Sequence, residues 1–130
     1  MQTYVVIGLG GAVGSIARHW CNSLAASLFG VAFPWGTLVI NVLGSMVIGF
    51  AAATMHEGGR FPVSEDVRLF LMVGVCGGYT TFSAFSLQTL TLIQGGQWGP
   101  AAGNIGLSVV LCLAGVWIGY LAGLVLNPSG

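Results

Sequence analysis

Apolar residues run along the chain in four long blocks, roughly 4–28, 35–55, 67–93 and 100–126, separated by short polar or Gly- and Pro-containing connections. A helix that crosses a bilayer needs about 20 mainly apolar residues, so each block is long enough to form one. The pattern predicts an all-α membrane protein, a single four-span domain over residues 1–130. The first connection carries Pro34, and the third, Gln94-Gly-Gly-Gln-Trp-Gly-Pro100, reads as a short polar turn. Only the middle connection, His56 to Arg68, is hydrophilic. Within it, Ser64 followed by Glu65 and Asp66 resembles a helix N-cap with acids in the first turn, which predicts where the third helix begins.

The third block departs from this pattern. Its stretch Gly74-Val-Cys-Gly-Gly-Tyr-Thr-Thr-Phe-Ser-Ala-Phe-Ser86 sets three glycines among four Ser and Thr hydroxyls and two phenylalanines. Glycine disfavours helix, and irregular backbone at membrane depth survives only where it lines a cavity or is buried in protein. The sequence therefore predicts a span interrupted near 74–80, with Gly74, Gly77 and Gly78 as the helix breakers, and places function there.

Composition narrows the class. Of 130 residues, 55% are hydrophobic and only 5% charged, with a mean hydropathy of +0.92, far from soluble domains. With three basic residues, all Arg, there is no patch to neutralise phosphates, which excludes nucleic-acid binding. The amino-terminal Met-Gln-Thr-Tyr lacks the basic region of a signal peptide, so the first block is expected to be a retained span. Cys21, Cys76 and Cys112 fit neither a disulfide framework nor a zinc site and are expected to be free thiols. Trp20, Trp35, Trp98 and Trp117 fall mostly near span ends, as an interfacial aromatic belt requires.

Every charged side chain except Arg18 lies in or beside the middle connection: Glu57, Arg60, Glu65, Asp66 and Arg68. Arg60 and Arg68 favour one orientation in the membrane and Arg18 the other, so the positive-inside signal is nearly balanced. Such a chain is suited to insert both ways, and two opposed copies to pair about an axis in the membrane plane. Four helices leave little room for an aqueous path, so oligomerisation is expected. Gly10-x-x-x-Gly14 and Gly115-x-x-x-Gly119-x-x-x-Gly123 let helix backbones approach closely, either between subunits or inside one.

No span contains a carboxylate. A small dual-topology multidrug/proton antiporter, the main alternative by length, requires an ionisable relay inside the membrane. What the spans hold instead is neutral hydrogen-bond donors, which suit an anion. Asn41 lies four residues after Thr37 on one helical face; it either offers N–H groups to a ligand or cross-bonds helices. Thr80, Thr81, Ser83, Ser86, Gln88 and Thr89 cluster in the third block. Asn104, Ser108 and Cys112 form a stripe in the fourth, where Ser108 could instead bond its own helix. Phe82 and Phe85, at i and i+3, either pack in the core or turn positive ring edges toward an anion. Arg18 either snorkels to an interface or supplies positive potential at a pore mouth.

These residues at this spacing resemble the CrcB/Fluc family of small fluoride channels. The likeness covers nearly the whole chain: Gly11-Ala-Val-Gly-Ser-Ile-Ala-Arg18, Gly36-Thr-Leu-Val-Ile-Asn41-Val-Leu-Gly44-Ser, and above all Gly74 to Ser86. The resemblance implies an antiparallel, dual-topology homodimer in the cell (inner) membrane that exports fluoride passively and has no enzyme activity. It implies that Asn41, Phe82 and Phe85 line the fluoride path; the hydroxyls of Thr37, Thr81, Ser83 and Ser108 are expected as further donors, and Arg18 is expected at the pore mouth or in assembly. It also implies a structural sodium ion at the dimer centre, held by backbone carbonyls of Gly77 and Thr80. The chain departs from the family at four places: Asn104 stands where a Tyr is usual, Cys112 where the polar track continues with Ser or Thr, Ala84 where some relatives have Thr, and Gln88 where an acid is frequent.

Overall fold

Residues 1–128 are described in the computed structural model, and every regular element among them is helical. Helix α1 is Gln2–Phe29, α2 Trp35–Thr54, α3 Glu65–Leu69, α4 Gly77–Tyr79, α5 Phe82–Gln94 and α6 Trp98–Leu126; a π-helical stretch, Phe70–Cys76, joins α3 to α4. Ser64 caps α3 as the sequence suggests: its hydroxyl accepts the Val67 N–H at 3.3 Å, and Glu65 and Asp66 sit where the helix dipole favours acids. Gly30 ends α1 at φ 78° and Gly96 turns α5 into α6 at φ 75°, conformations that a side chain would strain.

Three stretches are long and apolar enough to cross a membrane: Trp35–Thr54, Glu65–Gln94 taken as a whole, and Trp98–Leu126. At 28 residues α1 is long enough, but Arg18, His19 and Asn22 make it less apolar. The hydrophilic connection gathers the chain ends to one end of the bundle. There Gln2 Nε2 donates to Asp66 Oδ2 at 2.8 Å, while Asn127 Oδ1 accepts the Arg60 N–H at 2.9 Å and its Nδ2 donates to the Ala53 carbonyl at 2.8 Å.

Two glycine seams set the packing. Helices α2 and α6 form the most extensive pair. A Cβ on Gly119 would run into the Met46 carbonyl, one on Gly49 into the Val116 carbonyl, and one on Gly123 would lie 2.6 Å from Ala53 Cβ. The Gly115-Gly119-Gly123 stripe is therefore spent on packing within the chain, where close backbones gain dispersion contact. Helix α1 lies along the π stretch and α4 in the same way, with Gly10 against Phe70 and Gly74 and Gly14 against Val75 and Tyr79.

This second seam corrects the reading of Gly74, Gly77 and Gly78 as helix breakers. Gly77 and Gly78 are helical residues of α4, Gly74 lies inside the π stretch, and none of the three has positive φ. Gly74 and Gly78 serve close approach instead: their Cβ atoms would lie 2.9 Å from Gly10 Cα and 2.6 Å from the Gly11 carbonyl. Extended backbone comes only at Thr80 (φ −83°, ψ 158°) and Thr81 (φ −152°, ψ 113°), between α4 and α5. The departure from α geometry begins earlier, at Phe70, where i→i+5 bonding adds a residue to the turn and shifts the facing of everything downstream.

Gly44 of α2 holds the space for this extended pair, since a Cβ there would collide with Thr80 Cγ2 while standing 3.4 Å from Tyr79 Cδ2. Gly44→Ala is expected to destabilise the protein by about 1–3 kcal/mol through overpacking. Adding Thr80→Ser, which removes Cγ2 but keeps the hydroxyl donating to the Cys76 carbonyl at 2.9 Å, should recover most of the loss. Detergent-solution melting of the single and double variants measures this; equal melting of both would show that the Thr80 methyl is not what Gly44 accommodates.

Candidate functional site

Asn41 meets the extended pair directly. Its Oδ1 accepts the Thr81 N–H at 2.8 Å and its Nδ2 donates to the Thr81 carbonyl at 3.1 Å. The side-chain amide thus pairs with one residue's backbone in both directions, supplying the Thr81 N–H with the acceptor that an interrupted helix cannot. One N–H of Nδ2 is left over.

Thr81 in turn starts α5. Its hydroxyl accepts the Ala84 N–H at 3.1 Å and lies 3.3 Å from Ser83 Oγ. From this start the helix carries Phe82 and Phe85 side by side, with ring centroids 5.4 Å apart and planes tilted by 48°. They differ in setting: Phe85 is 9% exposed, whereas Phe82 is 77% exposed.

Helix α6 faces them. Asn104, only 2% exposed, donates from Nδ2 to Thr89 Oγ1 at 2.9 Å, and Thr89 donates to the Phe85 carbonyl at 2.8 Å. This relay fastens α5 to α6 and fixes the turn that carries Phe85. Ser108 does not bond its own helix carbonyls; its hydroxyl points to Asn104 Oδ1 at 3.4 Å, long enough that the proton can turn elsewhere.

The groups converge on a cavity of about 410 Å³, lined by Asn41, Thr81, Phe82, Phe85 and Ser108 together with Gly77 and Thr80. Five residues from three helices and the extended segment thereby come to one place. No acid lines it, and no group of three or more His, Cys, Asp or Glu among the described residues is arranged to hold a metal. A family model described as CrcB-like protein, Camphor Resistance (CrcB), matches residues 5–120. The chain belongs to this family.

Curated members of the CrcB-like family align end to end with this one. The chain is 55% identical over 128 residues to the fluoride-specific ion channel FluC of Rhodospirillum rubrum, covering 98% of this chain and 99% of that one. It is 52% identical to the FluC of Opitutus terrae, over 98% of this chain and 96% of that one. To the FluC of Methylocella silvestris it is 50% identical, over 95% of each.

The remaining candidates lie elsewhere in this CrcB-like chain. Thr37 is buried one turn from Asn41 and does not reach the cavity; Ser83 is exposed beside Thr81. Arg18 is half-buried on α1, away from the cavity, and makes no hydrogen bond or ion pair among the described residues. Gln88 lines a separate space of about 220 Å³ with Asn22 and Thr91, and its buried Oε1 has no hydrogen-bond partner there. The Asn104-Ser108-Cys112 stripe divides: Ser108 and Cys112 face the cavity, and Asn104 turns to Thr89. Sequence reasoning missed that Asn41 pairs with the Thr81 backbone, a long-range contact with no local signal.

Proposed function

We propose that this protein is a fluoride-selective channel that lets the anion leave the cell passively, working as an antiparallel homodimer in the cell (inner) membrane. The observation that carries this reading is the convergence of Asn41, Thr81, Phe82, Phe85 and Ser108 on one cavity without a carboxylate. Close similarity to curated fluoride-specific channels along the full chain supports the same ion.

Fluoride holds water strongly, so a dry path must replace that water with donors. The spare Asn41 N–H and the Ser108 proton are such donors, and the ring edges of Phe82 and Phe85 add positive potential without a full charge that would trap the ion. Narrowness and hard donors would then disfavour larger, softer anions. The membrane potential drives anions outward, so no coupling group is needed and no covalent step occurs. The absence of a cavity-lining acid disfavours the proton-antiporter alternative.

A second copy would complete the path. The open flank of the cavity and the exposed Phe82 ring support a partner seated there, and Gly77 and Thr80, whose carbonyls are proposed for sodium, line the same cavity. The residues fit that ion. Thr81 gives its N–H to Asn41, which removes the i+4 donor from the Gly77 carbonyl, and extended backbone takes the Thr80 carbonyl out of the helical ladder. Freed carbonyl oxygens are hard ligands suited to an alkali cation. When bound, sodium would be held by Gly77 and Thr80 and would tie the two extended segments together.

Purified protein in fluoride-loaded liposomes, with a permissive counter-ion pathway and a fluoride electrode outside, tests the reading. Rapid efflux is expected; none would exclude the channel. Phe82→Ile and Phe85→Ile should each slow efflux more than about tenfold, the equivalent of about 1.4 kcal/mol on the barrier. Unchanged flux in both would reduce the rings to packing.

A further inference from the structure

The same cavity has a second chemical character that neutral donors for a hard anion do not explain. Three sulfur side chains line it: Met72 and Cys76 from the π-helical stretch and Cys112 from α6. Met72 and Cys76 are four residues apart in the π-helical stretch, and Cys112 lies a turn beyond Ser108 on α6. All three cysteines are free thiols, but only Cys21 is engaged, through the Tyr79 hydroxyl at 3.3 Å; the thiols of Cys76 and Cys112 make no hydrogen bond among the described residues. No His, Asp or Glu accompanies the three sulfurs on the cavity wall, so hard or borderline divalent cations find no charged oxygen or imidazole there.

We propose that Met72, Cys76 and Cys112 form a binding site for a soft, thiophilic cation, and that its occupancy plugs the ion path. Thiolate and thioether ligands select soft monovalent metals. Binding is a substitution with no change of oxidation state: the thiol S–H bond breaks, an S–metal bond forms, and the proton goes to buffer. The metal cannot be carried through, because fluoride is too hard a partner to draw it from sulfur. That occupancy blocks transport rests on the channel reading above; that the metal binds does not.

Silver nitrate in chloride-free buffer is the probe. Purified protein is titrated with it, freed of excess, and its retained silver measured by elemental analysis; fluoride efflux from liposomes is followed in parallel. The intact protein and Cys21→Ser are expected to retain silver and lose efflux on its addition. Loss of even an outer-sphere partner weakens metal sites about 10–100-fold, so Cys112→Ser should bind silver more than about tenfold more weakly. Met72→Leu, which keeps the apolar volume, should weaken binding in the same direction. Silver retained equally by the intact protein, Cys112→Ser and Met72→Leu would overturn the site. Silver bound with efflux undiminished would overturn the plug. A protein that binds silver through Cys112 yet never passes fluoride would overturn the channel reading and leave the sulfur site standing.

Discussion

Asn41→Ala is expected to destabilise the protein more than any other single truncation of a polar side chain in it, and to abolish rapid fluoride flux. The reason lies in what the amide touches. It is the partner of the Thr81 N–H and a second donor to the Thr81 carbonyl, which as N-cap also accepts the first bond of α5; a buried N–H left unpaired costs about 1–3 kcal/mol, with nothing in hydrocarbon to replace the partner. Asn41→Asp separates the structural from the ionic contribution. A carboxylate keeps the acceptor for the Thr81 N–H but sets a second oxygen against the Thr81 carbonyl and a negative charge on the proposed anion path. Flux should fall roughly a hundredfold or more, equivalent to about 3 kcal/mol on the barrier, while part of the stability is kept. Melting in detergent and liposome efflux measure the two effects. An alanine variant with normal melting would show that the Thr81 backbone finds its partners elsewhere.

The second large effect is expected at the α2–α6 seam. Gly119 faces the Met46 backbone, with the carbonyl carbon 2.8 Å and Cα 3.0 Å from where a Cβ would stand. Backbone atoms cannot rotate aside as a flexible side chain can, so Gly119→Ala must push two long helices apart. Overpacking of this kind costs about 1–3 kcal/mol and occasionally more, and it opens the cavity wall that carries Ser108 and Cys112. Gly8→Ala is the control: nothing lies within 4 Å of the added carbon, and the change should stay within about 1 kcal/mol, the difference in helix propensity. Sedimentation and melting of the two variants should diverge clearly. Equal behaviour would mean that the α2–α6 contact is looser than the geometry requires.

Helix ends were legible from one-dimensional signals. Ser64 with Glu65 and Asp66 announced the start of α3, and the Gly-Gly turn at 95–96 announced the gap before α6, because caps and positive-φ turns are local chemistry. Candidate polar residues were legible too, because a neutral donor in an apolar block is conspicuous. Gly74, Gly77 and Gly78 were misread. Glycine weakens a helix in isolation, yet here Gly74 and Gly78 let α1 lie against the backbone, and the helix yields two residues after Gly78, at Thr80 and Thr81. The stripe at Gly115, Gly119 and Gly123 was ambiguous for the same reason: a small residue signals close approach without saying to what.

The sequence by itself determined that the chain is helical and membrane-bound, since the lengths of its apolar blocks and the near absence of charge leave no other way to satisfy the backbone. It also determined the chemistry available inside, donors and aromatic rings without acids. The tertiary structure alone decided which of those donors are free. Asn41 is partly spent on Thr81, Asn104 is spent on Thr89, and Thr37 lies away from the cavity, leaving Asn41, Ser108 and the two phenylalanines together. That division depends on how α2, α5 and α6 meet, and residues 15 or 40 apart in sequence carry no mark of which hydrogen bond each will make.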